Sequence, residues 1–108
     1  MNAEPDDLDN LQANVQGAAD LLRALANEYR LGVLCALRHG ELSVGDLVKR
    51  VGLSQSALSQ HLARLRQEEL VATRRSSQTI YYRIADPDVL ELIQALASAM
   101  AHRRGKMR

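Results

Sequence analysis

A run of apolar and small polar side chains between residues 53 and 66 carries the most distinctive chemistry of the chain. On a helix, Leu58, Leu62 and Leu65 would fall on one stripe. The side facing away from that stripe would carry Gln55, Ser56, Ser59, Gln60 and Arg64. Short amide and hydroxyl groups form hydrogen bonds to base edges, whereas an ordinary solvated helix face more often carries Lys and Glu. The segment therefore predicts a DNA recognition helix rather than a merely solvated one.

The residues just before this segment predict the element that positions it. Ser43 is a suitable N-cap for a short helix from Val44 to about Val51, and Gly52 ends that helix. Ser54 then caps the helix that carries the polar face. Two helices separated by only a few residues are typical of a helix-turn-helix.

Two further helices are predicted upstream of the helix-turn-helix. Apolar residues at three- and four-residue steps predict one amphipathic helix from about Leu8 to Ala26. Asn27 caps a second helix that runs to about Arg38, and His39-Gly40 ends it. We expect residues 1–7 to form a disordered acidic N-terminus.

A β-hairpin is predicted after the recognition helix. Leu70 to Arg75 and Gln78 to Ile84 are rich in β-branched and aromatic residues, and Ser76-Ser77 separates them. The outer end of the hairpin is polar and basic, and its predicted DNA contacts are Arg74, Arg75, Ser76, Gln78 and Thr79. Side chains there can hold phosphates or enter the minor groove, although the arginines can also be solubilising charges on an edge strand.

Asp86 followed by Pro87 predicts the start of a last helix, whose apolar stripe includes Val89 and Leu96. A basic tail at residues 103–108 follows. The order of elements predicts a mainly α chain with a β-hairpin, a winged helix-turn-helix, in one domain spanning residues 8–102. The first and last helices would leave apolar stripes that a second copy can cover around a two-fold axis. Such a homodimer would read an inverted repeat in double-stranded DNA.

Composition limits the other function classes. Residues 1–20 hold five of the 13 acidic residues and no Lys or Arg, so the remainder carries 14 basic against 8 acidic residues, despite a formal net charge of +1. No apolar run is long enough for a membrane span, and the acidic start is unlike a signal peptide, so we expect a cytoplasmic protein without a membrane partner. No nucleophile with a nearby His and no carboxylate pair emerges from the spacing. We therefore expect no enzyme activity, no catalytic residue, no cofactor and no small-molecule substrate.

The chain resembles the ArsR/SmtB family of dimeric bacterial winged-helix repressors from about Ala18 to Met100. The segments that carry the resemblance are Ala24-Leu25-Ala26-Asn27-Glu28-Tyr29-Arg30-Leu31, Glu41-Leu42-Ser43-Val44-Gly45-Asp46-Leu47, Leu53 to Leu65, and Gln78-Thr79-Ile80-Tyr81-Tyr82-Arg83. The likeness is strongest to the subgroup that contains BigR, SqrR, HlyU and NolR. It implies that Gln55, Ser56, Ser59 and Gln60 read bases. Backbone contacts are expected from Ser54, Arg64, Arg74, Arg75 and Thr79.

The resemblance also bears on the inducing signal. Ser43 and Gly45 stand where metal sensors of the family place thiolates, and neither is a soft-metal ligand, so no metal site is expected. Cys35 stands at the first cysteine of the dithiol switch of sulfur-responsive members. Ala101 stands at the second, which implies that an intramolecular disulfide cannot form. The alternatives for Cys35 are a thiol sensor or a small core residue that shares a stripe with Leu31 and Leu34.

Three hypotheses for the function of the chain are compatible with the sequence. The first is a dimeric, sequence-specific repressor that a thiol-reactive signal releases from its operator. The second is a repressor that needs no ligand, and the third is a winged-helix interaction module that does not read DNA. One further residue is ambiguous in the same way, because His61 can contact the DNA backbone or pack locally.

Overall fold

The computed structural model describes the backbone of residues 5–106 and the side chains of residues 7–104. Six α-helices, one short 3-10 helix and three strands follow one another along this range. Their bounds are α1 Pro5–Ala13, α2 Val15–Leu25, α3 Glu28–Ala36, the 3-10 helix Leu37–His39, β1 Leu42–Ser43, α4 Val44–Val51, α5 Gln55–Gln67, β2 Val71–Ser76, β3 Thr79–Ile84 and α6 Pro87–Lys106. This is the winged helix-turn-helix order, with α4 and α5 as the helix-turn-helix and the β2–β3 hairpin as the wing.

The predicted helix caps are formed. The Asn27 side chain accepts hydrogen bonds from the amides of Tyr29 and Arg30 at 3.0 and 3.1 Å, which fixes the start of α3. The Ser43 hydroxyl accepts from an amide in the first turn of α4 at 3.1 Å. The Ser54 hydroxyl does the same for α5 at 3.2 Å. These bonds satisfy amides that no intrahelical carbonyl reaches, so the caps set where each helix begins.

The sheet has one strand more than the sequence predicts. Strand β1 is only two residues long, and it pairs with β3 to give the antiparallel order β1-β3-β2. The hairpin turn is also shifted by one residue, because Ser76 still pairs with Thr79 and the turn residues are Ser77 and Gln78. Ser77 adopts a left-handed φ of 56° there. The predicted alternation of Ile80, Tyr82 and Ile84 onto one face is confirmed, since all three pack in or against the core.

The prediction of a single helix from Leu8 to Ala26 is wrong, because the helix breaks at Asn14. The Asn14 backbone leaves the helical path at φ −132° and ψ 49°, and its side chain accepts a hydrogen bond from the Gly17 amide at 3.2 Å. A Cβ at position 17 would lie 2.6 Å from the Asn14 Nδ2 atom. The break therefore depends on an N-capping side chain and on the glycine that leaves room for it.

Towards both ends of the described range, helix extends further than predicted. Residues 1–4 of the expected disordered segment lie outside the described residues, but Pro5 to Asp7 belong to α1. At the other end, the expected basic tail continues α6 as far as Lys106, and residues 107–108 lie outside the described range. Among the described residues, no helix is long and apolar enough to cross a membrane.

The core lies where the helix-turn-helix meets α3 and the sheet. The side chains of Leu58, Leu62 and Leu65 are at most 1% exposed, which confirms the predicted inner stripe of α5. Leu34 and Leu47 from the adjoining helices are fully buried beside them. No polar or charged side chain is buried among the described residues. An apolar core of this kind fixes α5 from one side only and leaves its other side free.

Gly52, which ends α4, lies in the left-handed region with φ 80°. Replacing Gly52 with Ala should lower the free energy of unfolding by about 1 kcal/mol, because an L side chain is strained there. Urea denaturation followed by circular dichroism measures the change. The matched control is Gly32→Ala in α3, where a Cβ would meet nothing within 4 Å. This change should raise the free energy of unfolding by about 0.5–1 kcal/mol. Equal effects at both positions would contradict this account of Gly52.

Candidate nucleic-acid interface

The outward face of α5 presents the four residues predicted to read bases. Gln55, Ser56, Ser59 and Gln60 are all exposed. Ser56 and Gln60 lie opposite the buried leucines, and Ser59 lies at the edge of that face. Gln55 is exposed because it stands in the first turn of α5, three residues before Leu58. The capping residue Ser54 is exposed at the start of the same face. A helix of this length with one free polar side fits a DNA major groove, where amides and hydroxyls can pair with base edges.

A polar concavity of about 350 Å³ lies between the wing and the start of α5. It brings Gln55 of α5 together with Gln78 and Thr79 of the wing. The rest of its wall is formed by Ser43, Val44 and Gly45 at the start of α4 and by Ile80. Residues predicted separately from the recognition helix and from the hairpin therefore face one space. Their amide and hydroxyl groups can donate and accept hydrogen bonds towards a common ligand.

Arg64 lies further along α5 and is half-buried. Its Nε atom is 4.0 Å from a Glu68 carboxylate oxygen, and about a third or more of each side chain is exposed. An ion pair this long and this solvated contributes little. The Arg64 charge is therefore available to a DNA phosphate, on the same helix as the residues predicted to read bases.

Arg74, in contrast, is already engaged by two neighbours. Its Nε atom donates to the Glu41 carboxylate oxygens at 3.0 and 2.9 Å, and its Nη2 atom also donates to Oε1. The guanidinium carbon lies 4.4 Å from the centre of the Tyr81 ring. Sequence reasoning missed Glu41 and Tyr81, because the signal that would place Glu41 beside the wing is the two-residue strand β1, which is too short to recognise from a pattern.

The hydrogen bonds from Arg74, together with its charge and that of Arg83, hold the pKa of the Glu41 carboxyl below its ordinary value. The same contact raises the pKa of Arg74. Because the carboxyl pKa is lowered on folding, the ion pair stabilises the fold above the ordinary glutamate pKa. That contribution is lost only as pH falls through the lowered value. The contact is thus intact throughout the neutral range.

Arg75 projects to the other face of the sheet. It pairs with Ile80 in the β2–β3 register, whereas Arg74 pairs with Tyr81. Residues directly opposite in an antiparallel pair share a face, so Arg75 lies on the side that faces the helices. Arg75 is exposed, and no ion-pair partner for it exists in the described part of the chain. Ser76 follows it as an exposed residue at the end of β2.

His61 packs locally in this structure. Its ring centre is 5.6 Å from that of Tyr29, and its Nδ1 atom is 3.4 Å from Nη1 of Arg30. Arg30 also donates hydrogen bonds to the carbonyls of Ala24 and Arg23 at 2.6 and 3.1 Å. Arg30 therefore joins the end of α2 to α5, and His61 is the α5 side of that contact.

Cys35 is exposed on α3. Within the single chain Cys35 is not part of the core, which was one of its two alternatives, because the inner side of α3 is filled by Val33 and Leu34. Its carbonyl accepts a hydrogen bond from Arg38 at 2.6 Å. Within residues 7–104, no group of three or more His, Cys, Asp and Glu side chains is placed to hold a metal ion.

Comparison with known proteins identifies the family of this chain. Residues 27–73 match the model of the bacterial regulatory proteins of the arsR family. The transcriptional activator HlyU of Vibrio cholerae serotype O1 is 47% identical over 96 residues, which cover 89% of each chain. The chain belongs to the arsR family. It is thus related to DNA-binding transcription regulators, and this agrees with the winged helix-turn-helix described above.

Solved structures of arsR-family relatives have the same fold. The transcriptional repressor BigR from Xylella fastidiosa matches with a TM-score of 0.78 and 35% identity, over 90% of this chain and 96% of that one. The homodimeric winged helix-turn-helix domain of Mb0332 from Mycobacterium bovis matches with a TM-score of 0.73 and 31% identity. That match covers 100% of this chain and 96% of the other. The family likeness therefore includes relatives named as activator and as repressor, and one that is a homodimer.

Proposed function

We propose that this arsR-family chain is a homodimeric repressor that reads an inverted-repeat operator and blocks transcription by occupying it. The observation that carries the proposal is the two-sided recognition helix. Three leucines hold α5 in the core, while four uncharged hydrogen-bonding side chains on the same helix are exposed. The repressor assignment follows the likeness to BigR, which is a transcriptional repressor.

The contacts divide into base reading and backbone contact. Gln55, Ser56, Ser59 and Gln60 read base edges, because their amides and hydroxyls can match the pattern of donors and acceptors in the major groove. Backbone contact falls to charged and polar residues around them, namely Ser54, Arg64, Arg75, Ser76, Gln78 and Thr79. The concavity that joins Gln55, Gln78 and Thr79 supports a single DNA surface formed by helix and wing.

The homodimer is supported by apolar side chains left exposed on the terminal helices. Those that are between 37% and 58% exposed are Leu8, Leu11, Val15, Leu22, Leu92, Leu96 and Met100. An apolar groove of about 480 Å³ runs between α2, α3 and α6. An apolar surface of this kind on a small domain marks a protein interface, and the Mb0332 relative is a homodimer. Two recognition helices about 34 to 36 Å apart would then reach successive major grooves.

Replacing Leu96 with Glu should dissociate the dimer, because a carboxylate would be buried in an apolar interface without a partner. Leu96 is 43% exposed in the single chain, so the protomer should still fold. Sedimentation velocity measures the loss of mass, and circular dichroism checks the fold. Gln94→Glu, which adds the same charge at an exposed polar position of α6, is the control and should remain dimeric. A dimeric Leu96→Glu variant would remove α6 from the interface.

Replacing Gln60 with Ala should weaken operator binding by about 1 to 3 kcal/mol and relax sequence preference, while binding to unrelated DNA hardly changes. Gel-shift titrations of the chain against its own upstream DNA and against a scrambled duplex measure both affinities. Gln67→Ala removes the same side chain about two turns further along α5, beyond the residues proposed to read bases, and serves as the control. Equal losses on both duplexes would assign Gln60 to backbone contact. No preference for any duplex by the unmodified chain would favour an interaction module that does not read DNA.

The release signal that we propose is a thiol-reactive one at Cys35, with ligand-independent repression as its rival. The exposed position of Cys35 supports this choice, because an oxidant can reach the sulfur. Hydrogen peroxide would transfer one oxygen to the thiol, giving a sulfenic acid and water.

Treatment with peroxide should therefore add one oxygen to Cys35 and lower operator affinity, and a reducing agent should restore it. Mass spectrometry of the intact chain and gel shift of the same sample measure the two events together. The Cys35→Ser variant is the control, and its affinity should not respond to peroxide. An oxidised Cys35 with unchanged operator affinity would favour the ligand-independent repressor.

A further inference from the structure

We propose that Glu41, Arg74 and Tyr81 form a clasp that holds the wing in the orientation that operator binding requires. Arg74 is then a positioning residue, and the phosphate contact of the wing belongs to Arg75. The inference rests on the proposed DNA-binding function. It departs from the sequence prediction that both arginines contact DNA.

The clasp spans the whole sheet. Glu41 immediately precedes β1, Tyr81 lies on the central strand β3, and Arg74 lies on the edge strand β2. The register places Tyr81 opposite Ser43 on one side and opposite Arg74 on the other. The Arg74 side chain thus crosses the Tyr81 ring to reach the Glu41 carboxylate. These three side chains link the segments of all three strands on the face of the sheet that carries Tyr81.

This tie connects the wing to the helix-turn-helix. Strand β1 pairs with β3 through only two residue pairs, and it ends at Ser43, which caps α4. A two-stranded hairpin is only marginally ordered by itself, so its orientation depends on contacts with the rest of the domain. Glu41 supplies such a contact from the segment that leads directly into the helix-turn-helix.

The charge of Arg74 is already compensated by this contact. The edge formed by Nε and Nη2 faces the Glu41 carboxylate, and one face of the guanidinium lies over the Tyr81 ring. A DNA phosphate that approached Arg74 would also meet the Glu41 carboxylate, which repels it. Arg75 has no ion-pair partner within residues 7–104 and lies on the opposite face of the sheet. Near the tip of the wing, the uncompensated charge is therefore that of Arg75.

For the Glu41→Gln variant, the clasp predicts a change in operator affinity opposite to the one expected from net charge alone. Replacing Glu41 with Gln removes a negative charge beside a DNA-binding surface, which alone would tighten DNA binding. If the clasp positions the wing, the same change instead weakens operator binding by about threefold to fivefold, the upper part of the range expected for loss of one well-aligned surface ion pair. Glu69→Gln is the matched control, because Glu69 is an exposed carboxylate between α5 and β2. It should leave the affinity unchanged or slightly higher.

Lysine substitutions separate positioning from phosphate contact. Lys keeps the charge that attracts a phosphate but lacks the planar fork that binds a carboxylate with two donors and stacks on a ring. Arg74→Lys should therefore weaken operator binding as much as Glu41→Gln does. Arg75→Lys should stay within about twofold of the unmodified chain. The double variant Glu41→Gln with Arg74→Lys should bind no more weakly than either single variant, because both changes break one contact.

The closing experiment combines these gel shifts with amide hydrogen exchange of the free protein. Faster exchange in β2 and β3 of Glu41→Gln, with exchange in α5 unchanged and with weaker operator binding, supports the clasp. Tighter or unchanged operator binding by Glu41→Gln, or an additive double variant, overturns it. If the unmodified chain prefers no duplex, the DNA-binding proposal fails. Hydrogen exchange then decides whether Glu41 still orders the wing, and unchanged exchange in β2 and β3 overturns the clasp in that case too.

Discussion

Burial of one side of α5 is the constraint on which the rest of this structure depends. Leu58, Leu62 and Leu65 are 0 to 1% exposed, and burying each such side chain contributes roughly 2 kcal/mol. The helix is therefore held without help from its outer side. Because no buried polar side chain in the described residues needs a partner, the amides and hydroxyls opposite the leucines are not used for folding. The packing of its leucines can thus hold α5 rigidly in the domain, while its exposed amides and hydroxyls are left to form hydrogen bonds with a ligand.

The sequence predicts those parts of the fold that local chemistry determines. Caps at Asn27, Ser43 and Ser54 fix helix starts through hydrogen bonds within three residues, so the boundaries of α3, α4 and α5 are predictable. The break at Asn14 is also local. It was missed because the apolar spacing continues across it, and only the Asn14–Gly17 contact reveals it.

The remaining differences depend on contacts between distant segments. Strand β1 has no pattern of its own and exists because two residues pair with β3, about forty positions later. The surroundings of Arg74 follow from that pairing, since Glu41 reaches the wing only once β1 is in place. Exposure of Cys35 is likewise set by packing, because α3 turns Val33 and Leu34 inward. Residue types predicted the candidate base-reading residues on α5. They did not distinguish Arg75 from Arg74, whose charge is paired with Glu41.

The neutral character of the reading face has a consequence for assembly. Uncharged amides and hydroxyls discriminate between bases, but most of the affinity for DNA comes from cations that neutralise phosphates. Among the residues proposed to contact DNA, Arg74 is compensated by Glu41, which leaves Arg64 and Arg75 as the cations of each protomer's contact. A single copy would then bind DNA weakly. In the proposed homodimer, joining two copies through the exposed apolar faces of the terminal helices would make the second contact intramolecular and raise the affinity without new charge. The apolar faces and the uncharged outer face of α5 would then act together, because dimerisation would supply affinity that one recognition helix lacks.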